Sequence, residues 1–163
     1  MQVPLSDTIV LMKKKPTQPS TVINRRARYD YVLGEDLVVG IVLTGPEVRA
    51  ARDNHVQLKG SYASIQKGEL WLNNASFSLK HNTAGQSGSR AVDTSPRKLL
   101  AHRKQIDALA AQKKSGMTIV PTKLLPAGNY IKLVIALGKG KKNWDKRQSI
   151  KKRDIERESR RQL

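Results

Sequence analysis

The sequence predicts one mainly β domain, a small antiparallel barrel flanked by about three helices, followed by a basic tail that is disordered on its own. Three observations carry this. The 163 residues suit a single core, because two cores would leave each half too little apolar surface to bury. Short apolar runs, alternating or continuous, recur between turn residues from Arg28 to Leu137, with one longer helical stretch among them. After Leu137 the apolar periodicity stops while the charge rises.

Residues 1–23 mix Lys13, Lys14 and Lys15 with Pro16, Pro19 and small polar residues, a composition that cannot bury enough apolar area to offset chain entropy. They are expected to form a flexible arm ahead of a domain over 24–138. From Arg28 to Leu43, Tyr29, Tyr31 and Leu33 alternate and lead into the buried-looking run Leu37 to Leu43, which predicts one long or bent strand. Thr44 and Glu47 stand at capping-box spacing with Pro46 in the first turn, so a short helix follows, to about Asp53. Val56 to Ile65 and Leu70 to Leu79, joined through Gln66, Lys67, Gly68 and Glu69, read as a hairpin. Lys80 to Thr94, rich in Gly, Ser, Thr and Asn, reads as a loop. Ser95 with Pro96 makes an N-cap and first-turn pair, and Gly116 closes the segment behind Lys113 and Lys114, so a helix is predicted over roughly 96–114. Leu99, Ile106, Leu109 and Ala110 share one stripe of it, while Leu100 falls about 100° away and either widens the core face or touches a partner. Thr118 to Leu125 and Tyr130 to Leu137 form the last hairpin around Pro126 to Asn129, with Ile131, Leu133, Ile135 and Leu137 on one face and Lys132 on the other. Short strands with one interposed helix in a small basic chain point to a closed or nearly closed barrel of the oligonucleotide-binding type.

Lysine and arginine number 31 against 13 acids, a net charge of +18, which favours a polyanionic partner. Nucleic acid is the common one, since each phosphate neutralised releases condensed counterions. A membrane anchor needs about 18 or more consecutive apolar residues, and the run Thr8 to Met12 is shorter than a signal-peptide core, with its charges after it instead of before it. A cytoplasmic protein is expected. The absence of cysteine excludes disulfides, thiolate metal sites and cysteine nucleophiles. His55, His81 and His102 have no second ligand at a short spacing, and the acids form no isolated pair suited to acid–base work. Gly138 to Lys142 lacks the Walker spacing and any Ser or Thr after its lysine. The expectation is a protein without active site, metal or cofactor.

Gly138 to Leu163 carries 11 basic residues against 4 acids, so residues 139–163 are expected to be a tail disordered when free. Glu156 stands four residues before Arg160, the favourable order for a helical ion pair once a partner orders the segment. Aromatic residues, at 4%, are too few for a broad stacking platform. Tyr29 and Tyr31 follow Arg25, Arg26 and Arg28, and both barrel packing and RNA contact stay open for them. Trp144, between Lys142 and Lys146 in a segment without a core, reads as a residue that stacks on a base or docks on a partner.

Taken together, these motifs resemble the SmpB family of SsrA-binding proteins. The resemblance covers about residues 24–158 and rests on Asn24-Arg25-Arg26-Ala27-Arg28-Tyr29-Asp30-Tyr31, Gly40-Ile41-Val42-Leu43-Thr44-Gly45 with Glu47-Val48-Arg49, Ser61-Tyr62-Ala63 and Gly68-Glu69. It continues with Pro96-Arg97-Lys98-Leu99-Leu100, Gly140-Lys141-Lys142, Asp145-Lys146-Arg147 and Ile150-Lys151 ahead of Arg153-Asp154. It implies a barrel that clasps the tRNA-like domain of transfer-messenger RNA and a tail that enters the empty messenger channel of a stalled 70S ribosome as a helix. The RNA-binding residues it implies are Asn24, Arg25, Arg26, Arg28, Tyr29, Arg97, Lys98, Leu100, Lys139, Lys141 and Lys142. Trp144, Asp145, Lys146 and Arg147 are implied to meet the decoding centre, and Ile150, Lys151, Lys152, Arg153 and Arg157 to line the channel. A monomer with no membrane or DNA partner is expected. The chain departs from the family at Val38-Val39-Gly40, where Glu-Ala-Gly is usual, so a carboxylate used in RNA binding is absent; Gly60 replaces a common acid. Its tail stops several residues early, and Met12 with its lysines resembles the family's usual start, so residues 1–11 read as an extension or a misassigned start. A generic RNA-binding barrel has no need of Asp145-Lys146-Arg147 so soon after Gly140-Lys141-Lys142, and an RNA-processing enzyme needs a constellation that is missing.

Overall fold

The computed structural model describes residues 20–80, 90–126 and 128–142, together with Arg147, Asp154, Ile155, Glu158 and Ser159. The elements in order are β1 (Val22–Ile23), α1 (Arg25–Asp30), β2 (Tyr31–Ile41), α2 (Gly45–Arg52), β3 (Val56–Gln57), β4 (Tyr62–Gln66), β5 (Glu69–Asn73), β6 (Ser76–Lys80), β7 (Arg90–Asp93), β8 (Arg97–Leu100), α3 (Arg103–Gln112), β9 (Met117–Leu125) and β10 (Lys132–Gly140). Six strands run β9-β10-β2-β8-β5-β4 and close into a barrel where Ala63 pairs with Ile119. Closure removes the open edges that a sheet of this size would otherwise expose. β1 adds to β9, and β3-β6-β7 form a separate three-stranded sheet. The predicted barrel with its helices is therefore the fold, and among the described residues every strand pair is antiparallel.

The core is built from Leu70, Leu72, Phe77, Ile119, Leu124, Leu133 and Ile135, all fully buried. Each such side chain stabilises the fold by about 1.5–3 kcal/mol through removal from water. Among the described residues no helix is long and apolar enough to cross a membrane.

Several local expectations are corrected. Arg28, Tyr29 and Asp30 belong to α1, so the strand expected from Arg28 begins at Tyr31. The run Leu37 to Leu43 is not buried throughout: Val39 and Ile41 point into the core while Val38 and Val42 are half exposed. The predicted hairpin divides. Its inner part is β4–β5, turned by Lys67 and Gly68 at φ values of 51° and 76°, the left-handed pair that a tight hairpin requires. Its outer parts become β3 and β6, which pair in the small sheet. The break lies at Gly60 and Asn74, both at positive φ, where Asn74 Nδ2 donates to the Gly60 carbonyl at 3.2 Å.

The predicted loop from Lys80 to Thr94 contains β7, which pairs with β6; its residues 81–89 lie outside the described residues. The helix expected over 96–114 starts only at Arg103, where the His102 backbone N–H donates to Gln105 Oε1 at 2.9 Å. Arg97 to Leu100 is strand β8, seated between β2 and β5. Without it the barrel has a gap there, and ladder bonds on both sides outweigh the local helical signal of Ser95 and Pro96. The boundaries shift as well: Val22 and Ile23, expected in the arm, form β1, and Lys139 and Gly140, expected in the tail, complete β10.

Candidate nucleic-acid interface

The site begins at an irregularity in β9. Opposite β10 the register runs Val134 to Lys123 but Ile135 to Pro121, so Thr122 is an extra residue and the strand bulges. A bulge tolerates Pro121 and turns backbone carbonyls away from the ladder. Asn24 takes them: its N–H donates to the Thr122 carbonyl at 2.8 Å, and its Nδ2 donates to the Pro121 and Leu58 carbonyls, each at 2.9 Å. Its Oδ1 meanwhile accepts from the Ala27 N–H at 3.2 Å, which caps α1. A helix of six residues does not persist alone. Anchored by Asn24 and by buried Ala27, it holds Arg25, Arg26 and Arg28 on the surface. Arg26 bonds Asp30 at 2.8 Å and lies 5.0 Å over the Tyr29 ring, so the half-buried tyrosine braces an exposed guanidinium.

The other end of the chain arrives at the same place. Lys139 pairs with Val32 and Gly140 with Tyr31, so β10 delivers the tail beside the C-terminus of α1. There the Lys141 N–H donates to the Asp30 carbonyl at 2.8 Å and its Nζ to the Arg28 carbonyl at 2.9 Å. The last carbonyls of a helix have no partner within it and carry partial negative charge, so an ammonium there is doubly favoured. Gly138 permits the approach, since a Cβ at that position would come within 3.1 Å of Tyr31. Arg25, Arg26 and Arg28 thus share one surface with Lys139, Lys141 and exposed Lys142, more than a hundred residues later.

A second area lies on the outer face of β2 and β8. Leu99 is in the core and Leu100, the next residue, is 54% exposed, as strand alternation dictates. Leu100 sits over Gly40, where an added Cβ would stand 3.2 Å from its own. Val38 and Val42 flank Gly40 and Lys132 pairs with it, making an apolar strip with a cation at its side. The start of α1 is anchored on β9, which is three strands from β8 in either direction around the closed barrel. The tail exit is nine residues along β2 from Gly40, up to about 30 Å away.

Two of the expected RNA-binding side chains are indoors. Asn24 is 7% exposed with both ends of its amide engaged, so it positions α1 instead of offering itself. Arg97 is 4% exposed. Its Nε bonds Glu47 at 2.6 Å, its other nitrogens donate to the Ala75 and Ser95 carbonyls and to Asp93, and its guanidinium lies 4.0 Å from the centre of the Phe77 ring. It ties α2 to β6, β7 and β8, and no donor is directed outward. Glu47 also accepts from the Thr44 N–H at 2.7 Å, so the predicted capping box is present and shared with this network. Asp93 is held below its ordinary pKa of 3.8 by hydrogen bonds from the Ser95 side chain and backbone, which outweigh the opposing effect of burial, with Arg97 adding the least. Lys98 is half exposed and paired with Glu69.

Trp144, Asp145, Lys146, Ile150, Lys151, Lys152, Arg153 and Arg157 lie outside the described residues. Arg147, Asp154, Ile155, Glu158 and Ser159 are helical and exposed. Sequence reasoning marked Val38 through the family's usual glutamate at that place but passed over Val42 and Lys132 as an interface, whose only signal was Lys132 facing away from the apolar residues of β10.

A closed, strongly basic barrel with cations and an apolar strip on its outer face defines a small nucleic-acid-binding protein. The chain belongs to the SmpB family, whose match, described as SmpB protein, covers residues 21–163. It is similar to the SsrA-binding protein of Shouchella clausii, at 42% identity over 83% of this chain and 85% of that one. The SsrA-binding protein of Coxiella burnetii is 41% identical over 93% of this chain and 95% of its own. A solved structure described as "tmRNA-SmpB: a journey to the center of the bacterial ribosome" has a TM-score of 0.58 and 33% identity, covering 76% of this chain and 85% of that chain.

Proposed function

We propose that this chain is an RNA-binding adaptor, acting in the cytoplasm, which grips the tRNA-like domain of transfer-messenger RNA and delivers it to stalled ribosomes for trans-translation. The observation that carries this reading is the meeting of α1 with the strip Lys139 to Lys142 at the point where the tail departs. RNA held on α1 and on the Leu100 strip leaves the tail free to extend toward a second partner, as an adaptor requires. The names of its relatives and of its structural neighbour support the same two partners.

In this reading Arg25, Arg26, Arg28, Lys139, Lys141 and Lys142 meet phosphates, and Leu100 with Val38 and Val42 packs against ribose or base. Asn24 and Arg97 act through the elements they hold. Trp144, Asp145, Lys146 and Arg147 face the decoding centre, and the segment from Ile150 through Arg157 enters the vacant messenger channel as a helix. The helical state of Arg147, Asp154, Ile155, Glu158 and Ser159 supports that last role.

The test is competition in a gel shift at physiological salt. Affinity for the tRNA-like domain should exceed that for an unrelated hairpin by at least about 10³, the scale of specific nucleic-acid readers. Equal affinity would remove the adaptor reading. Deleting the residues after Lys142 should leave RNA binding nearly intact and abolish peptide tagging on stalled ribosomes; tagging that survives would reduce the tail to a solvated charge run.

A further inference from the structure

A pocket of about 350 Å³ opens between α2 and β6. One wall runs along α2 from Gly45 through Arg49 to Asp53, and the other is made by His55, Ser78 and Lys80. Backbone bonds fix its shape: the His55 N–H donates to the Ala50 carbonyl at 2.8 Å, and the Ser78 N–H to the His55 carbonyl at 2.9 Å. Arg90 stands directly opposite Lys80 across β6 and β7, so the two exposed cations share one face of the small sheet. Val92, opposite Ser78 on that face, is 63% exposed.

Like charges set directly opposite in an antiparallel ladder repel and weaken it. The connection between Lys80 and Arg90, residues 81–89, contains no acid that could offset them. Glu47 of α2 and Asp93 of β7 are held by Arg97. Asp53 is the one acid of the pocket lining, one turn beyond Arg49, and it stands against three cations. A sheet that keeps repelling cations at a cost to its own ladder suits a polyanion, which brings several phosphates to it. The position selects which one. Val42 ends the apolar strip around Leu100, and Gly45 follows three residues later, at most about 11 Å away, so the pocket begins where the strip stops.

We propose that α2 and the small sheet form a further RNA seat, in which Arg49, Lys80 and Arg90 hold backbone phosphates of the same tRNA-like domain that packs on the Leu100 strip. Ser78 adds a hydroxyl donor to phosphate, and Asp53 accepts from a ribose 2′-hydroxyl. The proposal rests on the reading that this chain binds that RNA. It adds Lys80 and Arg90, which stand outside the family's motifs, to the cations that carry the binding.

The experiment compares the full chain with its Lys80→Gln, Arg90→Gln variant and with a Lys113→Gln, Lys114→Gln control, which loses the same charge at the exposed end of α3. In gel shifts with the tRNA-like domain, the first variant should lower the slope of log affinity against log salt by about 2, one for each lost phosphate contact, and weaken binding about tenfold. The control should change both far less. The urea midpoint of the first variant should not fall, because the substitutions relieve a repulsion. Equal losses in the two variants, an unchanged slope, or a lowered midpoint would each overturn the proposal. Unchanged affinity for the tRNA-like domain with weakened binding to stalled 70S ribosomes also overturns it, and puts the partner on the ribosome. These outcomes leave the adaptor reading standing; an unsubstituted chain that does not prefer the tRNA-like domain to an unrelated hairpin overturns both.

Discussion

Asn24→Ala removes one side chain that does three structural tasks, and its cost follows from the hydrogen bonds. Loss of the N-cap to the Ala27 N–H costs about 1 kcal/mol. Loss of the two bonds donated by Nδ2 costs about 1 kcal/mol each, and not the larger price of an orphaned carbonyl in the case of Leu58, which keeps the Ser61 hydroxyl at 2.7 Å. Because one side chain makes all three, they are not independent, and the expected total is about 2–4 kcal/mol. Asn24→Ser retains a capping oxygen without the reach of the amide and should fall between wild type and alanine. Urea unfolding of the full chain measures this as a lowered midpoint at constant m. RNA affinity of Asn24→Ala should fall as well, since Arg25, Arg26 and Arg28 lose their fixed placement. If affinity falls while the unfolding midpoint stays, Asn24 reads RNA directly and the reasoning from its buried contacts is refuted.

Four other outcomes are expected. Arg97→Ala leaves Glu47 buried without its cation and should destabilise the fold by about 3–5 kcal/mol in the same unfolding assay. Asp93, whose folded pKa is depressed, contributes stability that is complete above its ordinary 3.8 and is lost as pH falls below it, so Asp93→Asn should flatten the acid limb of a Tm-against-pH curve. Gly40→Ala should displace Leu100 and weaken binding of the tRNA-like domain in a gel shift, with a stability change below about 1 kcal/mol. Lys139→Ala should lower the slope of log affinity against log salt by about 1, as for one lost phosphate contact, while Lys141→Ala should also loosen the tail, seen as faster proteolysis after Gly140.

Much of the molecule was legible because its signals are local. The capping box of Thr44 and Glu47, the left-handed turn at Lys67 and Gly68, and the alternation of Ile131, Leu133, Ile135 and Leu137 depend on neighbours a few residues apart. β8 was misread for the opposite reason. Arg97 to Leu100 follows a good helix start, and only the vacancy between β2 and β5, elements distant in sequence, makes it a strand. The same competition hid the small sheet, since Val56 and Phe77 are partners only once Gly60 and Asn74 have broken the hairpin.

By itself the sequence determined the class of protein: charge, an absence of cysteine, strand periodicity and the motifs of one family suffice for a basic barrel with a basic C-terminal segment. Which of its basic residues face a partner was decided by tertiary structure alone. Arg97 and Arg28 look alike in the chain, yet one is enclosed by Glu47, Phe77 and Asp93 and the other stands on a six-residue helix held up by a bulge in β9. The physical reason is that a charged side chain remains buried only when distant partners satisfy it, and no short window of sequence contains those partners.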